Sequence, residues 1–165
     1  MIELLKGVPG FNQKTVEDLV AEIGFDMSVF PTEKHLASWS GMSPGNNESG
    51  GKKKSGRITH GNKQVKRTLT ESAWAATRTK KTFYSARYHR LAARRGKKRA
   101  LIAIEHSLRK SAYHILKENV PYKELGYDYL NDKIEAKRKK YLKKELEKLG
   151  YQVQLSALDV TKVVS

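Results

Sequence analysis

The chain has 165 residues, 38% apolar and 30% charged, and sets 33 Lys and Arg against 17 Asp and Glu for a formal net charge of +16; this suits one domain with a modest core, or one domain with appendages. It has no cysteine, which excludes disulfides and Cys-based zinc sites and fits a reducing compartment, and no apolar run nears the roughly 20 residues that span a bilayer. The cation excess predicts attraction to polyanions, nucleic acid above all, because neutralising backbone phosphates releases condensed counterions; the alternative is a basic protein that is merely soluble.

The first 24 residues, MIELLKGVPGFNQKTVEDLVAEIG, predict two short helices around a Pro-Gly turn and do not read as a secretory signal. Val16, Leu19, Val20 and Ile23 recur at helical spacing, so Asn12 through Ile23 is expected to be an amphipathic helix capped by Asn12 and ended by Gly24. FPTEKHLASWSG predicts a short helix capped by Thr32, with Leu36 and Trp39 facing inward and Gly41 as its stop. A Gly/Lys-rich loop is expected over 41–61. NKQVKRTLTESAWAATRT then gives an amphipathic helix, with Val65, Leu69, Ala73 and Ala76 inward and a flank of Lys63, Lys66, Arg67 and Arg78.

TFYSARYHRLAARRG places Tyr84, Tyr88 and Leu91 on one stripe and stops at Gly96. The strongest helix follows, with Leu101, Ile104, Leu108, Ala112 and Ile115 as its apolar face and Pro121 preventing continuation. From Asn131 to Leu149 the chain predicts a long, very polar helix whose thin seam is Ile134, Tyr141, Leu142, Leu146 and Leu149. The tail YQVQLSALDVTKVV alternates weakly and suggests at most a short strand. The expected fold is mainly α: a helix-hairpin-helix start at 1–24, the Gly/Lys-rich loop, a helical bundle to residue 130, and a polar helix and tail over 131–165.

Three features carry candidate chemistry. VPGF before a helix resembles the hairpin of a helix-hairpin-helix motif, where Gly10 would let backbone amides approach a phosphate; the plain alternative is a tight turn between packed helices. In SPGNNESGGKKKSGR, Ser49 precedes Gly50 and Gly51, and Lys52, Lys53, Lys54 and Arg57 follow. A serine in a Gly-rich loop is usually a turn residue. Here the glycines remove bulk where a nucleic-acid backbone would approach, the cations suit a phosphate gaining charge, and the hydroxyl is a candidate nucleophile. His60 is a candidate proton acceptor or phosphate contact. Lys63, Lys66 and Arg67, with Arg94, Arg95, Lys97, Lys98 and Arg99, read as solvated faces or as one phosphate-tracking surface. Tyr84, Tyr88 and Tyr113 read as core or boundary residues rather than stacking platforms, and the scattered carboxylates define no metal site.

The ordered series VPGF, AEIG, FPTEKHLASWSGMSPGNNESGGKKKSGR, HGNKQVKRTLTESAWAATRT, YHRLAARRGKKRALIAIEHSLRKSAYHIL and PYKELGYDYL resembles the C-terminal transposase domain of the insertion-sequence one-ten family, the Piv-like DEDD transposases and DNA invertases, over roughly residues 4 to 155. The resemblance implies a domain that binds DNA and supplies Ser49 as nucleophile for a covalent phosphoserine–DNA intermediate. It also implies a structured element-encoded guide RNA, a homo-oligomer with sites shared across subunits, no membrane partner, and a cytoplasmic, prokaryotic, nucleoid-associated setting. In the family, Mg2+ belongs to an N-terminal RuvC-like domain; no cofactor is expected in this chain. No RuvC-like half precedes Met1, so a truncated reading frame or fragment, inactive alone, is expected. The competing expectations are a non-catalytic nucleic-acid-binding module or transposase remnant, and a role for the polar helix in assembly.

Overall fold

The computed structural model describes residues 1–43, 47–55 and 60–156. Seven α-helices and one β-hairpin make up the regular structure among the described residues, so the mainly α fold class is as expected. The chain divides into two compact units, Met1–Asp128 and Tyr129–Ser165.

The first unit begins with α1 (Ile2–Lys6) and α2 (Gln13–Ile23). The α2 start is where its chemistry puts it: Asn12 accepts a hydrogen bond from the Thr15 amide at 2.8 Å, satisfying one orphan donor of the first turn. Val16, Leu19 and Ile23 are buried and Val20 half-buried. A single 3₁₀ turn, Met27–Val29, leads to α3 (Glu33–Trp39). Thr32 takes the cap position of α3, but its hydroxyl pairs with His35 Nδ1 at 2.9 Å and not with a backbone amide.

Trp39 departs from expectation. Two turns of helix offer few inward places, and Leu36 and Ala37 fill them. Trp39 is left 39% exposed, its ring tilted against Phe30 at 5.4 Å between centroids.

The predicted loop is a hairpin: β1 (Asn47–Ser49) pairs antiparallel with β2 (Lys52–Ser55). Gly50 and Gly51 connect the strands at φ 59° and 72°, the two positive angles that a tight turn matched to strand twist requires. Then come α4 (Lys63–Arg78), α5 (Phe83–Arg95) and α6 (Lys97–Glu118). These pack on one another, and α2 packs on α4. Val65, Leu69, Ala73 and Ala76 of α4 meet Ala100, Leu101, Ile104, Leu108, Ala112 and Ile115 of α6 in one core that also takes Tyr84, Tyr88 and Tyr113. Helix α6 stops at Asn119, which adopts the left-handed conformation at φ 53°, two residues ahead of Pro121.

Polar anchors tie α6 to the first residue of α3 and the segment before it. The Tyr113 hydroxyl donates to the Phe30 carbonyl at 2.9 Å and also lies 3.1 Å from the Pro31 carbonyl. The buried Arg109 guanidinium donates to the Glu33 carbonyl at 2.6 Å.

The second unit is α7 (Tyr129–Lys148) and the residues after it. The helix begins two residues earlier than its sequence pattern suggests. Its C-terminus is closed by Gly150 at φ 88°, with the Tyr151 amide donating back to the Leu146 carbonyl. Residues 151–156 form no strand; the remainder of the tail lies outside the described residues.

Candidate nucleic-acid interface

The hairpin is mounted on a backbone crossing. At its base, Gly41 and Gly61 meet with no room for side chains: a Cβ on Gly61 would stand 2.1 Å from the Gly41 nitrogen, and one on Gly41 would stand 2.5 Å from the Gly61 nitrogen. One residue on, the Asn62 amide donates to the Trp39 carbonyl at 3.3 Å. The segment between α3 and α4 therefore leaves and returns to the bundle at one point.

Asn62 also fixes that point. Its Oδ1 accepts from the Gln64 and Val65 amides at 2.9 and 3.0 Å, capping α4, and its Nδ2 donates to Glu22 of α2 at 2.6 Å. The bundle thus holds the start of α4, and with it the hairpin base, from two sides.

On the hairpin, Ser49 is exposed and pairs across the turn with Lys52, also exposed. This pair closes the Gly50–Gly51 turn, so a hydroxyl and an ammonium stand beside two residues that carry no side chains. A Cβ built at either glycine meets nothing within 4 Å, leaving the turn sterically open. Lys53 and Lys54 belong to β2, with side chains outside the described set, and Arg57 lies outside the described residues altogether. His60 is exposed and abuts the crossing.

Helix α4 carries the next cations. Lys63 is exposed in its first turn. Arg67 Nε contacts Glu71 Oε1 at 3.0 Å, an exposed pair of little stabilising value that a phosphate can displace. Lys66 is half-buried, and its charge and the Thr70 hydroxyl both act on the buried Glu105 carboxylate of α6. Burial pushes the Glu105 carboxyl above its ordinary range, opposed by Thr70 and Lys66.

The second cation cluster joins the first through helix packing. Tyr84 and Arg87 of α5 bond Ser111 and Ser107 of α6, at 2.8 and 2.9 Å. The partners run backwards, so α5 and α6 are antiparallel. The short link from α4 to α5 makes that pair antiparallel too, and the Trp74 ring meets the Tyr88 ring at 6.2 Å. The C-terminus of α5 and the N-terminus of α6 therefore lie at the same end of the bundle as the first turn of α4. Arg94, Arg95, Lys97, Lys98 and Arg99, all exposed, share that end with Lys63, Lys66, Arg67 and the hairpin base.

No Asp or Glu occurs between Glu71 and Glu105. The first turn of α6 thus carries three cations and no acid, against the preference of a helix N-terminus for negative charge. The run of basic residues is legible in sequence; its position beside α4 is a product of tertiary packing.

Gly10 stands elsewhere. Its φ is +92°, and a Cβ there would come within 2.4 Å of the Ser72 carbonyl and 2.8 Å of the Ala76 nitrogen. The missing side chain is used to seat the first turn against the second half of α4, about 14 Å along that helix from Lys63. Among the described residues no three His, Asp or Glu side chains gather as metal ligands. No helix among the described residues is long and apolar enough to cross a membrane.

Two curated proteins show the same sequence pattern. The chain is 30% identical over 122 residues to a pilin gene-inverting protein of Moraxella bovis, an alignment covering 72% of this chain and 38% of that protein. The pilin gene-inverting protein of Moraxella lacunata matches over the same length at the same identity and coverage. The chain thus corresponds to well under half the length of these relatives. The sequence pattern of the Transposase IS116/IS110/IS902 family matches residues 2–89, from α1 through the hairpin and α4 into α5, and the chain belongs to that family.

Proposed function

We propose that this chain is the DNA-binding and serine-nucleophile part of a transposase or site-specific DNA recombinase. The observation that carries the reading is the placement of Ser49: exposed, next to a bare two-glycine turn, paired with Lys52, on a hairpin whose base lies at the cation-rich end of the bundle. A DNA strand drawn to that end by Lys63, Lys66, Arg67 and the α5–α6 corner can present a phosphodiester to the turn without meeting side-chain bulk. The name of the inverting relatives supports DNA as the partner.

In this reading the Ser49 oxygen attacks phosphorus. The Oγ–P bond forms as the P–O bond to one sugar breaks, and the serine proton passes to a base, for which His60 is the candidate. A proton is returned to the departing sugar oxygen. The phosphodiester count is unchanged, so the phosphoserine link stores the energy of the broken bond, and attack by another strand's hydroxyl releases the serine. Lys52 and its neighbours stabilise the charge that grows on the phosphoryl oxygens. In this reading the family's divalent ion, Mg2+, would be held by a RuvC-like domain and not by this chain. The remaining parts of the reading are a structured guide RNA, sites shared across subunits of a homo-oligomer, and a cytoplasmic, nucleoid-associated location.

The test is Ser49→Ala in a full-length recombinase carrying this segment, scored for inversion or transposition and for DNA affinity. Strand exchange should be lost with affinity nearly intact, and mass spectrometry of a trapped wild-type reaction should find an oligonucleotide on the peptide bearing Ser49. Undiminished recombination by the alanine variant leaves a nucleic-acid-binding module that performs no chemistry of its own.

A further inference from the structure

Helix α7 carries twice as many cations as acids, yet three of its large apolar side chains, Ile134, Tyr141 and Leu142, and Leu149 in the turn directly after it, are between 48% and 73% exposed. At about 100° per residue, these four share an arc of roughly 100° with two charged residues, Arg138 and Glu145. The other lysines of α7 fall outside that arc, so the face is thinly apolar and electrically neutral. Three intrahelical ion pairs, Lys139–Glu135, Lys143–Glu147 and Lys148–Glu145, occupy most of the acids. Arg138 has no ion-pair partner among the described residues.

The order of residues along this face is self-complementary. A two-fold axis between Tyr141 and Leu142, perpendicular to the helix, sets Ile134 opposite Leu149 of a second copy, Arg138 opposite Glu145, and Tyr141 opposite Leu142. Every apolar residue of the arc meets an apolar residue and each charge meets its opposite. A parallel, in-register pair would instead set Arg138 against Arg138 and Glu145 against Glu145. We propose that α7 is a homodimer seam, in which two copies of this chain associate antiparallel through Ile134, Arg138, Tyr141, Leu142, Glu145 and Leu149. The proposal rests on the assembly part of the reading above and names the surface responsible.

The apolar strip is narrow, so the contact belongs to the weak, transient class of interface. It would gain strength when two copies are held on one nucleic acid. The cations on the remainder of α7 repel across the seam, and salt screens that repulsion. Association should therefore strengthen as salt rises, whereas contacts to nucleic-acid phosphates weaken.

The experiment is sedimentation equilibrium of the full chain, freed of nucleic acid, up to about 0.2 mM, a range that captures weak interfaces. Arg138→Glu and Glu145→Arg should each weaken dimerisation about tenfold or more, since each places like charges across the seam twice. The double variant, with the charges exchanged, should restore it. The chain has no cysteine of its own, so a second readout is clean: a mixture of Ile134→Cys and Leu149→Cys chains should form the mixed disulfide in preference to either homodimer. Ile134, Arg138 and Leu149 are exposed and Glu145 is half-buried, and circular dichroism checks that the helices persist.

A dimer indifferent to both charge reversals overturns the seam and leaves self-assembly standing. Single-variant losses without rescue in the double variant overturn the antiparallel arrangement. A wild-type chain that stays monomeric throughout overturns both the seam and self-assembly, while the DNA-binding reading is measured separately by its own titration.

Discussion

Gly10→Ala separates packing from phosphate contact at the first turn. The backbone there holds φ +92°, where a side chain costs about 1–2 kcal/mol. The new methyl would also sit 2.4 Å from the Ser72 carbonyl and 2.9 Å from the Ala76 Cβ. Helix α4 cannot yield locally, because its other faces are committed to α2, α5 and α6. Overpacking of this kind adds about 1–3 kcal/mol, for a total of roughly 2–5 kcal/mol. At roughly 4 °C per kcal/mol for a domain of this size, the melting temperature should fall by about 8–20 °C. Gly96→Ala is the internal control: its φ is +85°, but nothing lies within 4 Å of the built Cβ, so only the conformational cost applies, about 4–8 °C. Thermal unfolding followed by circular dichroism at 222 nm measures both. Equal melting temperatures for the two variants, with a tenfold loss of DNA affinity confined to Gly10→Ala, would refute the packing argument and restore a phosphate-binding role for that turn.

Other outcomes follow from the same geometry. Tyr113→Phe leaves the Phe30 carbonyl without its donor, while the Pro31 carbonyl keeps Lys117 Nζ, and should cost about 1–2 kcal/mol in urea unfolding with an unchanged m-value. Burial raises the Glu105 pKa, so the folded chain holds that proton more tightly than the unfolded one. Its stability contribution therefore falls as pH rises from the unfolded value of 4.5 through the folded value, and stays lost above it. Glu105→Gln should accordingly raise the melting temperature at about pH 8, with the gain fading below about pH 4; a pH-independent difference would remove that explanation. DNA affinity should fall with salt along a log–log line, and Lys63→Gln and Lys98→Gln should each make the slope shallower by about 0.9 for every phosphate that is no longer neutralised, read by fluorescence anisotropy.

Where local pattern and packing agree, sequence alone suffices. Val65, Leu69, Ala73 and Ala76 repeat at helical spacing, and α4 is built that way. Trp39 defeats the same logic because apolar spacing says which residues share a face, not how many of them a seven-residue helix can bury. The hairpin reads as a loop in sequence because its strands are three and four residues long and consist mostly of polar side chains, which give no alternation to detect. The Gly41–Gly61 crossing is invisible there because it pairs residues far apart in the chain. The same holds for the junction of the two cation clusters: each run is plain in sequence, but only the antiparallel course of α5 brings Arg94 to Arg99 alongside Lys63.

The crossing also bears on how such proteins diversify. Because the chain is clamped backbone to backbone at Gly41 and Gly61, the bundle registers only where the excursion starts and finishes. Insertions or deletions beyond the clamp can be absorbed without re-optimising the core, whereas any side chain at the clamp itself would force the two backbone segments apart. The fold keeps a rigid doorway and leaves what passes through it free to change.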